Sequence, residues 1–257
     1  SGKLEGAMEP DLVIPFAIEK EEAQESFSKW LKKKWFIPTA FRRESRVEEL
    51  RGVYFPYWLY RCQLHGNLTA EGRNNRVWTA GNIRYTETKV YDVRREGDLD
   101  IDSVARNALK KANRKLADGV LPYRMEEKKP FSMGYLSGFV AENRDMERES
   151  FVSEVQSEVR QFALENLKAS AGDFSSLEVK NSEVDVTEEG WNYALLPVWT
   201  LTYNDKARGK IYYFALNGQT GKVWGELPVD NKKLAVLFLG VVLPLLILLL
   251  TGGYFLG

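Results

Sequence analysis

Cysteine and histidine are almost missing from this chain of 257 residues, which has one of each, Cys62 and His65. A single cysteine excludes an internal disulfide framework and suits a reducing compartment. A structural zinc site needs four ligands, and residues 62 and 65 of a strand point to opposite faces. The same geometry argues against a Cys–His nucleophilic pair. We therefore expect a buried thiol and a half-exposed imidazole, without a metal.

Net charge and phosphate-binding loops are missing as well. The 36 basic residues balance 36 acidic ones, whereas a dedicated nucleic-acid binder usually has a basic excess. Neither GxxxxGK[ST] nor a GxGxxG after a strand is present. Asp98, Asp100 and Asp102 have the spacing of a calcium loop but lack its glycine and distal glutamate, so we expect a solvated, helix-capping turn. The sequence predicts no enzyme, no cofactor and no bound nucleic acid.

One long apolar run stands out among what is present. Residues 234–257 contain no charged side chain, and a helix of that length covers about 36 Å, enough for a hydrocarbon core of ~30 Å. A buried core helix is the alternative, but such helices rarely run over 20 residues without a polar face. The run therefore predicts one transmembrane helix.

The flanks of this run predict its orientation. Lys232 and Lys233 precede it and no basic residue follows, so the body before it is expected on the cytoplasmic side of the inner (plasma) membrane, in a single-pass topology. Pro244 is tolerated in such a helix, and aromatic residues collect at the far interface. We assign membrane anchoring to Lys232, Lys233, Leu234, Pro244, Tyr254 and Phe255.

Hydrophobic periodicity predicts an α+β body with antiparallel sheets and packed amphipathic helices. The predicted helices cover residues 19–35, 100–117 and 146–167. Ala23, Phe27, Trp30, Leu31 and Trp35 share one face of the first. The predicted strands cover residues 52–69, 73–95, 177–186, 193–203 and 210–214. Turn chemistry at residues 71–75 predicts a long hairpin, and Glu188 and Glu189 suggest another turn.

A short internal echo suggests that the body is duplicated. Residues 55–58 read FPYW and residues 196–199 read LPVW, each after a predicted helix. A duplicated helix-plus-meander unit would explain both, with each proline at a bulge or a strand edge. We divide the chain into an N-terminal extension (1–10), a first α+β unit (11–145), a second unit (146–230) and the transmembrane helix (234–257).

Several stretches together resemble a known family. They are residues 11–38, 50–60, 84–97, 134–142, 195–203 and 212–230. They are similar to a group of membrane-anchored bacterial proteins, common in Firmicutes, that usually begin with a zinc ribbon and are often labelled TFIIB-type zinc-ribbon or primosomal-helicase-like. The Cys-x-x-Cys pairs of that ribbon are absent here, so no metal property is transferred.

The resemblance implies a function in membrane organisation. In one operon, such a protein is encoded beside a phage-shock-protein-A-like protein and a flotillin-like (SPFH) protein, which implies a membrane-tethered platform for an envelope-stress or membrane-organising complex. We expect a non-enzymatic scaffold or adaptor that binds the bilayer and such partner proteins. The alternative is a membrane-anchored lipid-sensing or small-ligand module, with residues 121–142 as a lid.

Two sets of residues are candidates for these contacts. Lipid headgroups are the expected ligands of a basic cluster that also includes Arg42 and Arg43, against the alternative of an ordinary solvated helix end. Its lysines are Lys29, Lys32, Lys33 and Lys34. Partner docking is expected of aromatic residues on the strands, against the alternative of core packing. These are Tyr57, Trp58, Trp78, Trp199 and Trp224.

Overall fold

Three very long strands form the centre of the molecule in the computed structural model, which describes residues 9–39, 41, 49–110, 114–205 and 209–256. Eight strands form one mixed sheet within those ranges. The strands are β1 (Leu12–Val13), β2 (Arg51–Ala80), β3 (Ile83–Asn107), β4 (Lys129–Pro130), β5 (Val140–Ala141), β6 (Ser176–Asp205), β7 (Lys210–Asn217) and β8 (Val223–Gly225). The helices are α1 (Lys20–Lys32), α2 (Arg114–Gly119), α3 (Val152–Ser170) and α4 (Asn231–Leu256). The predicted α+β class, with one apolar C-terminal helix, is confirmed.

The sheet has the strand order β3-β2-β6-β1-β4, and β7 and β8 extend it beside the C-terminal half of β6. β2 pairs antiparallel with β3 along nearly its whole length and with β6 from Arg51, opposite Thr200, to Arg73, opposite Ser176. β5 adds a short parallel strand to β2, and β1 adds one to β6. Beyond Arg73, β2 and β3 continue as a two-stranded ribbon.

Helices cover both faces of the central strands. α1 and α3 lie on one face, where α3 buries Val155, Val159 and Ala163 against β2 and β6. α2 lies on the opposite face, against a cluster that includes Tyr57 and Val198. Burial on both faces explains why the middle of β2 and β6 is continuously apolar rather than alternating.

The hairpin turn lies further along the chain than predicted. Residues 71–75 are part of β2, and the turn is the Gly81-Asn82 pair between Ala80 and Ile83. Gly81 has φ of +62°, a conformation that glycine adopts without steric cost. The prediction at 71–75 was wrong because Gly72 serves packing: a Cβ atom there would lie 2.6 Å from the ring of Phe174.

The predicted helix at residues 100–117 was also wrong. β3 continues to Asn107, and helix α2 covers only the last residues of the predicted range. Leu99 and Ile101 are partly buried while Asp98, Asp100 and Asp102 are exposed, which is the two-residue period of a strand. Glu188 and Glu189 likewise lie within β6 instead of in a turn.

The suggested duplication has a matching set of hydrogen bonds. The indole of Trp58 donates to the carbonyl of Met146, and the indole of Trp199 donates to the carbonyl of Ile18, both at 3.0 Å. Each acceptor lies shortly before the helix that covers its tryptophan, α3 and α1 respectively. The orders β1-α1-β2-β3 and β5-α3-β6-β7 therefore match, as the suggested duplication predicts.

The backbone around the two prolines repeats as well. The carbonyl of Pro56 accepts from Ala108 N, and that of Pro197 accepts from Gly218 N, both at 2.9 Å. Neither proline lies at one of the three register shifts in β2, although a bulge or an edge was predicted. Pro56 instead lies between the residues of β2 that pair with β5, which end at Tyr54, and those that pair with β3, which begin at Tyr57. The missing N–H of Pro56 therefore removes no hydrogen bond between strands. Pro197 has the corresponding position in β6, after the residues that pair with β1 and before those that pair with β7.

The two units form one sheet because they exchange strands. β1 of the first unit pairs with β6 of the second. By element order β5 belongs with α3 and β6, although it lies before the predicted limit at residue 145, and it pairs with β2 of the first unit. The structure therefore joins the halves through their central strands, and the exact unit limits at residues 10, 145 and 230 stay predictions.

The repeated indole bonds allow a matched test of this equivalence. We expect Trp58→Phe and Trp199→Phe to lower the free energy of unfolding by similar amounts, about 1–2 kcal/mol each, because each leaves a buried or partly buried carbonyl without its donor. Chemical unfolding of the full chain in detergent, followed by circular dichroism, measures both. Trp35→Phe at an exposed site is the control. A large cost at one position and none at the other would contradict equivalence.

Candidate membrane-contacting surface

The segment after α1 and the segment before α4 meet through two hydrogen bonds. Asp230 N donates to the carbonyl of Phe36 at 2.7 Å, and Lys233 Nζ donates to the carbonyl of Ile37 at 2.8 Å. Ile37 is buried in the α1 cluster, against which Leu227 also packs. These contacts fasten the first turn of α4 to the body.

Asp230 sets the point at which α4 begins. Its Oδ1 accepts from Lys232 N at 3.1 Å and from Lys233 N at 3.3 Å, and its carbonyl accepts from Leu234 N. This is the arrangement of an N-cap, which satisfies backbone donors that have no partner within the helix. The helix thus starts at Asn231, three residues before the predicted span.

α4 is long and apolar enough to cross a membrane over Asn231–Leu249, and no residue of that window is buried. The helix as a whole covers about 39 Å at ~1.5 Å per residue. Pro244 lies inside it. The side chains of Tyr254 and Phe255, expected at the far interface, lie outside those the structure describes.

The predicted basic cluster lies at the C-terminal end of α1, close to this junction. Lys29 pairs with Glu25 at 2.8 Å, and Lys34 Nζ lies 5.0 Å from the ring centre of Trp30. Lys32 and Lys33 are exposed. Arg42 and Arg43, also assigned to the cluster, lie outside the described residues.

A groove between the two segments is the feature that the sequence did not reveal. Its volume is about 360 Å³. It is lined by Lys33, Lys34, Trp35, Phe36, Ile37, Leu227, Pro228 and Val229. Trp35 was expected on the buried face of α1, but α1 ends at Lys32 and the Trp35 side chain is 77% exposed. The sequence carries no signal that joins these two segments, because they lie far apart along the chain.

Four of the five aromatic docking candidates have little exposed surface. Tyr57, Trp58 and Trp199 are buried in the core, and Trp224 is half-buried against Gly119. Trp78 is 43% exposed on the β2–β3 ribbon and stacks on Tyr85, with ring centres 5.5 Å apart. Trp78 is therefore the candidate with a side chain open to a partner.

Comparison with known proteins gives one informative relative. The chain is 30% identical to the uncharacterized protein YdjG of Bacillus subtilis (strain 168), in a match over 258 residues that covers 98% of this chain and 75% of the relative. The chain belongs to the YdjG family. No protein-family model matches this YdjG-family chain, and no solved structure matches it.

Cys62 and His65 of this YdjG-family chain lie on opposite faces of β2. Cys62 is buried, which raises the pKa of its thiol. His65 lies on the polar face, where its Nδ1 is 2.8 Å from Asp98 Oδ1 and its Nε2 is 3.4 Å from Glu96. Among the described residues no group of three or more His, Cys, Asp or Glu side chains is placed to hold a metal ion.

The single histidine gives a clean pH test. The hydrogen bond to Asp98 raises the pKa of His65 above its ordinary value of 6.5, and the nearby Glu96 and Asp185 act in the same direction. The charged imidazole is then favoured in the folded state. Its stabilising effect is complete below the unfolded pKa and is lost as the pH rises through the folded pKa. NMR titration should give one histidine signal with a raised pKa, which Asp98→Asn lowers. An unchanged pKa in Asp98→Asn would contradict the assignment.

Proposed function

We propose that this YdjG-family chain is a non-enzymatic adaptor, anchored by α4 as a single membrane span, which holds partner proteins against the cytoplasmic face of the inner membrane. The observation that carries this proposal is the junction of α4 with the body. The helix is apolar and unburied, yet its first turn is capped by Asp230 and tied to Ile37. A helix fixed in this way positions the body instead of merely tethering it.

The proposed orientation rests on the charges at this junction. Lys232 and Lys233 lie in the first turn of α4, directly before its apolar residues. Basic residues that flank a span are retained on the cytoplasmic side. The hydrogen bond from Lys233 to Ile37 holds one of these charges at the body surface.

A cysteine introduced on the ribbon tests this orientation. We expect Lys89→Cys, at an exposed position of β3, to react with a membrane-impermeant maleimide in inverted vesicles and not in right-side-out vesicles. The unmodified chain is the control, because its Cys62 is buried and should stay unlabelled. Labelling in right-side-out vesicles alone would show that the body lies on the opposite side of the membrane and would contradict the proposed orientation.

The ribbon supports a docking role at the other end of the molecule. β2 extends about 80 Å from Pro56 to Ala80 at ~3.3 Å per residue, and the last residues of this length have no β6 beside them. Trp78 and Tyr85 stack on one face of the ribbon, and the Arg76 guanidinium lies 5.7 Å from the Trp78 ring. Aromatic and arginine side chains dominate the binding energy of protein interfaces.

The partner class follows from the family resemblance. An SPFH-like or phage-shock-protein-A-like protein at the same membrane is the proposed partner. Both would meet a surface held at a fixed position relative to the bilayer, which favours binding because less freedom is lost on association. The proposed role in an envelope-stress or membrane-organising complex depends on this partner.

Replacing the stacked pair tests docking. We expect the double variant Trp78→Ser with Tyr85→Ser to weaken binding of a co-expressed SPFH-like or phage-shock-protein-A-like protein by roughly tenfold or more, as for a hot-spot aromatic. Quantitative co-purification of the full chain from detergent measures the loss. Phe162→Ser, on the exposed face of α3, is the matched control because Phe162 is 54% exposed. Full binding by the double variant would show that Trp78 and Tyr85 are not part of the docking surface.

The second candidate function is lipid or small-ligand sensing, and the groove beside α4 is the observation in its favour. Its volume lies within the range of ligand sites, roughly 300–1,000 Å³. The suggested lid at residues 121–142 lies elsewhere. Tyr123 donates to the carbonyl of Pro197 at 2.9 Å, and Phe131 N donates to the carbonyl of Asp11.

A further inference from the structure

We infer that the groove formed by residues 33–37 and 227–229 binds an anionic phospholipid, with the phosphate beside Lys33 and Lys34 and the upper acyl chain against Trp35 and Val229. This inference rests on the proposed membrane anchoring and not on the proposed docking of partner proteins. It adds a ligand site of defined chemistry to the body.

The position of the groove selects a lipid as its occupant. Val229 lines the groove, and α4 begins two residues later at Asn231. The hydrogen bonds from Asp230 to Phe36 and from Lys233 to Ile37 hold both walls at the first turn of that helix. When α4 spans the bilayer, its first turn lies at the headgroup level, so the groove opens there as well.

The apolar wall of the groove suits acyl chains. Trp35 is 77% exposed and Val229 is 51% exposed, while Phe36 and Leu227 are partly buried behind them. Both side chains line one groove, and the apolar helix α4 begins beside it, so they belong to a contiguous apolar surface of the kind that marks an interaction site. Tryptophan is also the residue type that collects at membrane interfaces, where its ring meets both lipid and water.

The charge of the groove selects an anionic headgroup. Two of its eight lining residues are lysines, and none of the eight is acidic. Exposed Lys232 adds a third cation on the adjacent first turn of α4. A free phosphate ion would use these charges but leave the apolar wall in water. The combination of both therefore favours a phospholipid over a soluble anion.

Thermal unfolding of the full chain in a neutral detergent tests the inference with three probes. Phosphatidylglycerol should raise the Tm by about 3–5 °C when its concentration is tenfold above its dissociation constant. Phosphatidylcholine and inorganic phosphate at the same concentrations should leave the Tm unchanged. An equal shift with phosphatidylcholine would show general lipid solvation, and a shift with inorganic phosphate would show a simple anion site. Either result would overturn the inference.

Two variants separate the contributions of charge and of the apolar wall. Lys33→Glu with Lys34→Glu should abolish the shift with phosphatidylglycerol, and Trp35→Ser should reduce it by at least half. Lys89→Glu with Lys129→Glu makes the same charge change at exposed positions outside the groove and should keep the full shift. Loss of the shift in this control as well would attribute the effect to net charge and overturn the site. Because Trp35 is largely exposed, its variant also reports on binding if the lysine variant unfolds.

Discussion

The antiparallel ladder between β2 and β6 is the contact on which the rest of the molecule depends. It joins the central strands of the two proposed units, from Arg51 opposite Thr200 to Arg73 opposite Ser176. Each unit also gives its short parallel strand to the other, β1 to β6 and β5 to β2. Neither unit has a complete sheet by itself, so the helices of both cover a common core. The two halves of the chain therefore form one body around a shared sheet.

The same ladder separates two different ends of the molecule. Leu50, which precedes β2, lies in the cluster with Ile37 and Leu227, where α4 begins. At its far end β2 outruns both β6 and α3, and the last covered position is near Gly72, beneath Phe174. Because β2 and β3 continue past the end of β6, the aromatic residues of this ribbon are exposed. One continuous strand thus joins the end at which α4 begins to an exposed aromatic end, which is the geometry expected of the proposed adaptor.

Much of this fold was predictable, and the errors have definite causes. The spacing of apolar residues correctly indicated α1, α3 and the apolar helix α4. In each of them the helical spacing continues without interruption over several turns. Strands of 30 residues are far longer than the usual five or six, so glycine and acidic residues within them were interpreted as turns. Gly72 instead accommodates Phe174, and the true turn at Gly81 and Asn82 had the expected two-residue signal. Only knowledge of the neighbouring strands distinguishes the two glycines.

The groove was beyond prediction because its walls are almost 200 residues apart in sequence; the bond from Lys233 to Ile37 spans 196 positions. That hydrogen bond also gives Lys233 a structural role in addition to its charge. Lys232 and Lys233 were interpreted as equivalent orientation signals, yet Lys233 donates to the body while Lys232 is exposed beside the groove. Lys233 thus fastens the first turn of α4 to the body, and Lys232 stays exposed on the same turn. In the proposed membrane arrangement, the residues that orient the helix and the residues that place the body therefore lie in a single helical turn.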